Sequence, residues 1–125
     1  MKILIIDDDN ATIHAIRHYL TEHGHQVFVC SDGESAIMEI SKHSFDLIIS
    51  DIMMPGISGL SLINLLRQVQ LCTTQILLMS SLVNKPLLQA AFDAGANGFI
   101  SKPVEPTEFD IQLKKIEQSI HQTKN

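Results

Sequence analysis

Five short apolar runs punctuate the chain: KILII from Lys2, QVFVC from Gln26, DLIIS from Asp46, QILLM from Gln75 and GFIS from Gly98. They are rich in Ile, Leu and Val and barely alternate, which suits strands of a parallel sheet covered on both faces. Between them the apolar positions change period. Ile13, Ile16 and Leu20 make one helical stripe, Ala36, Ile37 and Ile40 a second, and Leu62, Ile63, Leu66 and Val69 a third. Leu88, Ala91 and Ala94 form a fourth, and Phe109, Leu113, Ile116 and Ile120 a fifth. Gly24 and Gly95 stand where the first and fourth helices should end; Asp9, Asp32 and Asn84 are placed to cap the first, second and fourth. Strand and helix alternate five times, which predicts a doubly wound α/β domain of five parallel strands and five helices. With 125 residues and no repeat or linker, the whole chain, 1–125, reads as one domain, its last residues, HQTKN, expected to fray.

Composition narrows the function. Hydrophobic residues make up 45% and charged residues 18%, a globular profile, and the net charge of -5 comes with no basic block. Binding to nucleic acid needs Lys and Arg against phosphates, so direct nucleic-acid binding is not expected. MKILIIDDD turns acidic too soon for a signal peptide, and no apolar run approaches a membrane span. Cys30 and Cys72 have neither CxxC spacing nor a local His partner, so both read as reduced thiols in a cytoplasmic protein. His14 and His18, at i and i+4 without a third ligand, read as an exposed helical face.

In an open α/β sheet, ligands bind beyond the carboxyl ends of the strands. Those ends carry Asp7, Asp8 and Asp9 after the first strand and Asp51 after the third. Ser80 and Ser81 follow the fourth, and Lys102 follows the fifth. Several carboxylates brought together raise one another's pKa, a cost that a hard, oxygen-seeking divalent cation relieves. A cation, an ammonium and a hydroxyl are the parts that stabilise a transferring phosphoryl group, and an aspartate among them can accept it as an acyl phosphate.

In order and spacing the sequence resembles the receiver domains of bacterial two-component response regulators, of the chemotaxis-regulator kind. IDDD resembles the family's acidic pair, SDIMMPGISGL its phosphoacceptor segment, LLMSS its hydroxyl residue, and AGANGFISKP its fifth strand with Lys-Pro. The resemblance implies a flavodoxin-like sheet of order 2-1-3-4-5. It implies Asp51 as phosphoacceptor, with Mg²⁺ (or Mn²⁺) held by Asp8, Asp51 and the main-chain carbonyl of Met53, and by Asp7 through water. It also implies Lys102 and Ser80 as phosphoryl-stabilising groups, Phe99 as a switch residue and a cis bond before Pro103. The partners it implies are a histidine kinase or histidine phosphotransfer domain, which donates the phosphoryl group, and a downstream protein target. It implies a monomer, or a weak dimer through the face of helix 4, strand 5 and helix 5, with Leu88, Phe92 and Phe99 as candidates.

Several positions depart from the family's commonest pattern: Ser80 stands where Thr is frequent, Ser58 where Asp or Asn is frequent, and Phe99 where Tyr is frequent. Met53 and Leu82, each two residues beyond a site residue, are apolar, which predicts slow self-dephosphorylation. Such a protein is not an ordinary enzyme. The rival readings are a phosphorylation-independent scaffold receiver, an aspartate-dependent phosphatase and a flavin module. The phosphatase would place its nucleophile in a DxD segment after strand one, and the flavin module would need a Ser/Thr/Gly-rich loop there.

Overall fold

The protein is described by a computed structural model covering residues 1–54, 56–70 and 72–124, with side chains to residue 121. The elements are β1 (Lys2–Ile6), α1 (Asn10–Glu22), β2 (Gln26–Cys30), α2 (Gly33–Lys42), β3 (Leu47–Asp51) and α3 (Gly59–Asn64). A π-helical segment, Leu65–Val69, prolongs α3. Then come β4 (Gln75–Ser80), α4 (Lys85–Ala94), β5 (Gly98–Ser101) and α5 (Pro106–Lys124). All four strand pairings are parallel and the order is β2-β1-β3-β4-β5.

Period-2 alternation sends neighbouring strand residues to opposite faces. Leu4, Ile6, Ile48, Ile76 and Leu78 pack with Ala36 of α2, Leu62, Ile63 and Leu66 of α3 and its π-helical extension, and Ala91 of α4. Ile3, Ile5, Leu47, Ile49, Leu77 and Met79 pack with Ile16 and Leu20 of α1 and Phe109, Leu113 and Ile116 of α5. Both faces are therefore covered, and the runs have no polar side to show. Tyr19 of α1 also hydrogen-bonds Asp110 of α5, tying the two helices of the second layer together.

Two expected core positions are corrected. Val69 closes the third stripe in the sequence but is 70% exposed. The Gln70 amide bonds the Leu65 carbonyl, an i→i+5 pattern, and the wider turn carries Val69 off the buried face. In α4, Leu87 rather than Leu88 packs with Ala91 and Ala94 against the core. The expected caps are in place: Asp9, Asp32 and Asn84 accept amides of the first turns of α1, α2 and α4, and Gly95 closes α4 at φ 113. The end of the HQTKN segment lies outside the described residues, and α5 runs on to Lys124.

Candidate functional site

The sheet register explains why chemistry-bearing residues meet at one edge. Ile6 pairs with Ser50, Asp51 with Met79, and Ser80 with Ser101. Asp7, Asp51, Ser80 and Lys102 therefore emerge nearly level at the carboxyl ends of β1, β3, β4 and β5. The Asp7 amide donates to the Cys30 carbonyl at 3.1 Å, so the residue is still held as if in the ladder.

Asp7, Asp51 and Ser80 are buried, while Asp8 is exposed at the mouth. The Lys102 ammonium lies 2.7 Å from Asp7 Oδ2 and donates a hydrogen bond to Asp51 Oδ2 at 2.9 Å. Asp51 Oδ1 accepts the Met53 amide at 3.1 Å, and Asp7 Oδ1 accepts the Asp9 amide at 3.0 Å. Ser80 Oγ accepts the Leu82 amide at 3.0 Å, whereas Ser81 is exposed. The Lys102–Pro103 bond is cis. Phe99 stands apart, half-buried against the apolar cluster beneath α4.

Burial pushes the Asp51 carboxyl above its usual range, with the Asp7 charge adding to it and Lys102 and the Met53 amide opposing it. For Lys102, burial works against the charge, but the contacts and charges of Asp7 and Asp51 outweigh it and raise the ammonium. Each partner thus favours the charged form of the other, against the burial that opposes both charges.

Carboxylate oxygens of Asp7, Asp8 and Asp51 can be chosen within 4.8 Å of one another, the one such three-residue ligand group among the described residues. Asp7 Oδ2 is buried with no well-directed hydrogen bond, its Lys102 contact being an ion pair. Three carboxylates against one ammonium leave two negative charges, and an all-oxygen set suits a hard divalent ion, so the residues fit Mg²⁺. His14 and His18 join no such group, and His18 instead lies 3.2 Å from Glu22 on the exposed face of α1. Cys30 and Cys72 are free thiols.

One structural requirement of the site was not read from the sequence. A Cβ on Gly59 would lie 2.5 Å from the Asp51 carbonyl oxygen and 2.8 Å from Ile52 Cα. The start of α3 therefore sits directly on the backbone of Asp51, and the Gly59 amide donates to the Ile52 carbonyl at 2.9 Å. A glycine in the first turn of a helix, where it costs stability without a packing reason, is the signal that could have found it.

A family model described as the response regulator receiver domain matches residues 3–114. The chain belongs to the response regulator receiver family. Protein RcaC of Microchaete diplosiphon is 36% identical over 116 residues, which is 93% of this chain and 18% of that protein. Regulatory protein VanRB of Enterococcus faecalis is 32% identical over 117 residues, 94% of this chain and 51% of that protein. This receiver thus spans about half or less of the curated relatives it matches. Among solved structures, chemotaxis protein CheY4 of Vibrio cholerae is similar at a TM-score of 0.84 and 30% identity, with 92% of this receiver and 97% of that chain covered. As a receiver, the chain is a domain of two-component signalling. No described helix is long and apolar enough to cross a membrane.

Proposed function

We propose that this receiver, spanning 1–125, is a cytoplasmic phosphorylation switch whose acceptor is Asp51. The observation that carries the reading is the buried Asp51 carboxylate, held at one oxygen by Lys102 and at the other by the Met53 amide, with Asp7 and Asp8 beside it. A histidine kinase or histidine phosphotransfer domain supplies the phosphoryl group. An Asp51 oxygen attacks phosphorus, the P–O bond forms, and the P–N bond of phosphohistidine breaks, its electrons and a proton returning to the imidazole. Lys102 neutralises charge on the phosphoryl oxygens, and the Ser80 hydroxyl turns to donate to one of them.

Asp8, Asp51 and the Met53 carbonyl would hold Mg²⁺, with Asp7 acting through water; the bound ion supplies charge neutralisation at the transferring group. The groove beside Lys102, about 480 Å³ and lined by Asp9, Ala11, Thr12, Ala15, Ser81, Pro103 and Val104, is where the donor approaches. The acyl phosphate then shifts a resting–active equilibrium and alters the face of α4, β5 and α5, with Phe99 as switch residue, for a downstream protein. Exposed Phe92 and half-buried Leu88 belong to that face, which also serves any weak dimer.

The test is intact mass spectrometry of the protein treated with acetyl phosphate and Mg²⁺, beside Asp51→Asn. One added phosphoryl group on the native chain and none on the variant is expected. Met53 and Leu82, 65% and 57% exposed, put apolar surface where an attacking water would need orienting. The phosphoprotein should therefore persist for minutes or longer rather than seconds. No addition to the native chain, or equal addition to the variant, rejects Asp51 as acceptor.

A further inference from the structure

Among the described residues, four polar side chains are buried: Asp7, Ser50, Asp51 and Ser80. Three of them meet at the site. Ser50 does not, because period-2 alternation turns it to the face opposite Asp51, into the apolar layer beneath α2, α3 and α4. Ile6 and Leu78, its partners in β1 and β4, both belong to that layer. A hydroxyl buried there costs stability unless it is hydrogen-bonded.

The bond it makes is to the backbone of the acceptor itself. Ser50 Oγ donates to the Asp51 carbonyl oxygen at 3.0 Å. The β1–β3 register ends at Ile6–Ser50, one residue short of Asp51. A Cβ on Gly59 would come within 2.5 Å of the same oxygen, so the start of α3 stands against it as well. At the other end of this peptide unit, the Ile52 amide donates to the Met79 carbonyl at 3.0 Å. The planar unit between Asp51 and Ile52 is therefore held at its oxygen and at its nitrogen. Turning it would swing Met53, whose amide holds Asp51 Oδ1 at 3.1 Å.

We propose that Ser50 is a positioning residue for phosphoryl transfer. From the buried face of β3 its hydroxyl fixes the Asp51–Ile52 peptide, and through it the Met53 backbone that orients the acceptor carboxylate. The role rests on the reading that Asp51 accepts the phosphoryl group with the Met53 carbonyl at the cation. Without the hydroxyl the Asp51 carbonyl loses its donor, and the peptide gains by turning toward another. Met53 turns with it, its amide slackens on Oδ1, and its carbonyl leaves the place of the cation. A displacement of about half an ångström at an attacking oxygen slows transfer without unfolding the chain.

Three variants of the full chain test this. Ser50→Thr keeps the hydroxyl, Ser50→Val puts a methyl group in its place at the same shape, and Ser50→Ala removes it without adding volume. Intact mass against time in acetyl phosphate and Mg²⁺ gives the rate of phosphoryl addition, which should fall about tenfold in Ser50→Val and Ser50→Ala and stay within about threefold in Ser50→Thr. Amide hydrogen exchange of the metal-free protein, followed residue by residue by NMR, gives a second readout. Ile52 and Met53 should exchange about tenfold faster in Ser50→Val and Ser50→Ala, with Ile48 of the same strand unchanged. A merely structural role would speed Ile48 equally. That result, a native rate or an unchanged Met53 amide in Ser50→Ala, or equal losses in Ser50→Thr and Ser50→Val overturns the proposal. Should Ser50→Val fail to fold, Ser50→Ala against Ser50→Thr carries the comparison. If the native chain takes no phosphoryl group, the proposed function fails, and Ser50 is judged on the Ile52 and Met53 amides.

Discussion

At Asp51 function and stability pull apart. A carboxyl raised above its unfolded value contributes stability below that value and loses the contribution as pH rises through its folded value. At neutral pH, above the unfolded value, Asp51 therefore weighs against the fold. Asp51→Asn keeps the shape, leaves Lys102 its 2.7 Å contact with Asp7, and should raise the melting temperature of the metal-free protein at pH 7. Mg²⁺ should act in the same direction by offsetting the carboxylates. At about ten times its dissociation constant it adds roughly 1.4 kcal/mol to stability, read as a rise in melting temperature. Asp8→Asn, which removes the exposed carboxylate at the mouth, should abolish most of that rise. A native chain indifferent to Mg²⁺ would count against the cation site.

At the scale of elements, the start of α3 is where backbones come closest: of the glycines, Gly59 leaves the least room for a side chain. Gly59→Ala would drive a methyl group into the Asp51 and Ile52 backbone, with no flexible side chain to give way. A loss of about 1–3 kcal/mol in denaturant unfolding is expected, together with slower phosphorylation because the acceptor strand must shift. The same region marks where sequence reading stops. The alternation of strands and helices was legible because both faces of the sheet are covered, and the acids, Ser80 and Lys102 because they stand at strand ends. Val69 was not, since a period of 3.6 presumes an α-helix and one i→i+5 turn breaks it. The choice of Leu87 over Leu88 depends on the angle at which α4 meets the sheet, which adjacent leucines do not encode. Likewise Ser80 and Ser81 are equivalent in sequence, and the β4–β5 register is what buries the first and exposes the second.

Across the whole molecule, charge is arranged at both ends of the sheet. Opposite the acidic edge, His25 Nδ1 lies 2.8 Å from the Met1 ammonium, and Nε2 lies 3.5 Å from Glu117. Burial first, then the ammonium, hold the imidazole below its usual value; Glu117 opposes them, and His23 adds slightly to the lowering. His121 and Asp46 line the same recess. A histidine with a depressed folded value binds fewer protons folded than unfolded, so stability is full above about 6.5 and falls as pH drops through the folded value. Urea midpoints at pH 7.5 and 5.5 should differ in that sense, and His25→Gln should flatten the part due to this residue. An unaltered slope in the variant would assign the pH dependence to other groups.

The sheet also separates two apolar layers, one under α2, α3 and α4 and the other under α1 and α5. Substitutions in different layers share no partners, so their effects should come close to adding, whereas those within a layer should not. That gives the chain two halves able to diverge at different tempos. A lineage can repack the layer beneath α4, one substitution at a time, without retuning the layer beneath α1 and α5, even though the face of α4, β5 and α5 draws on both.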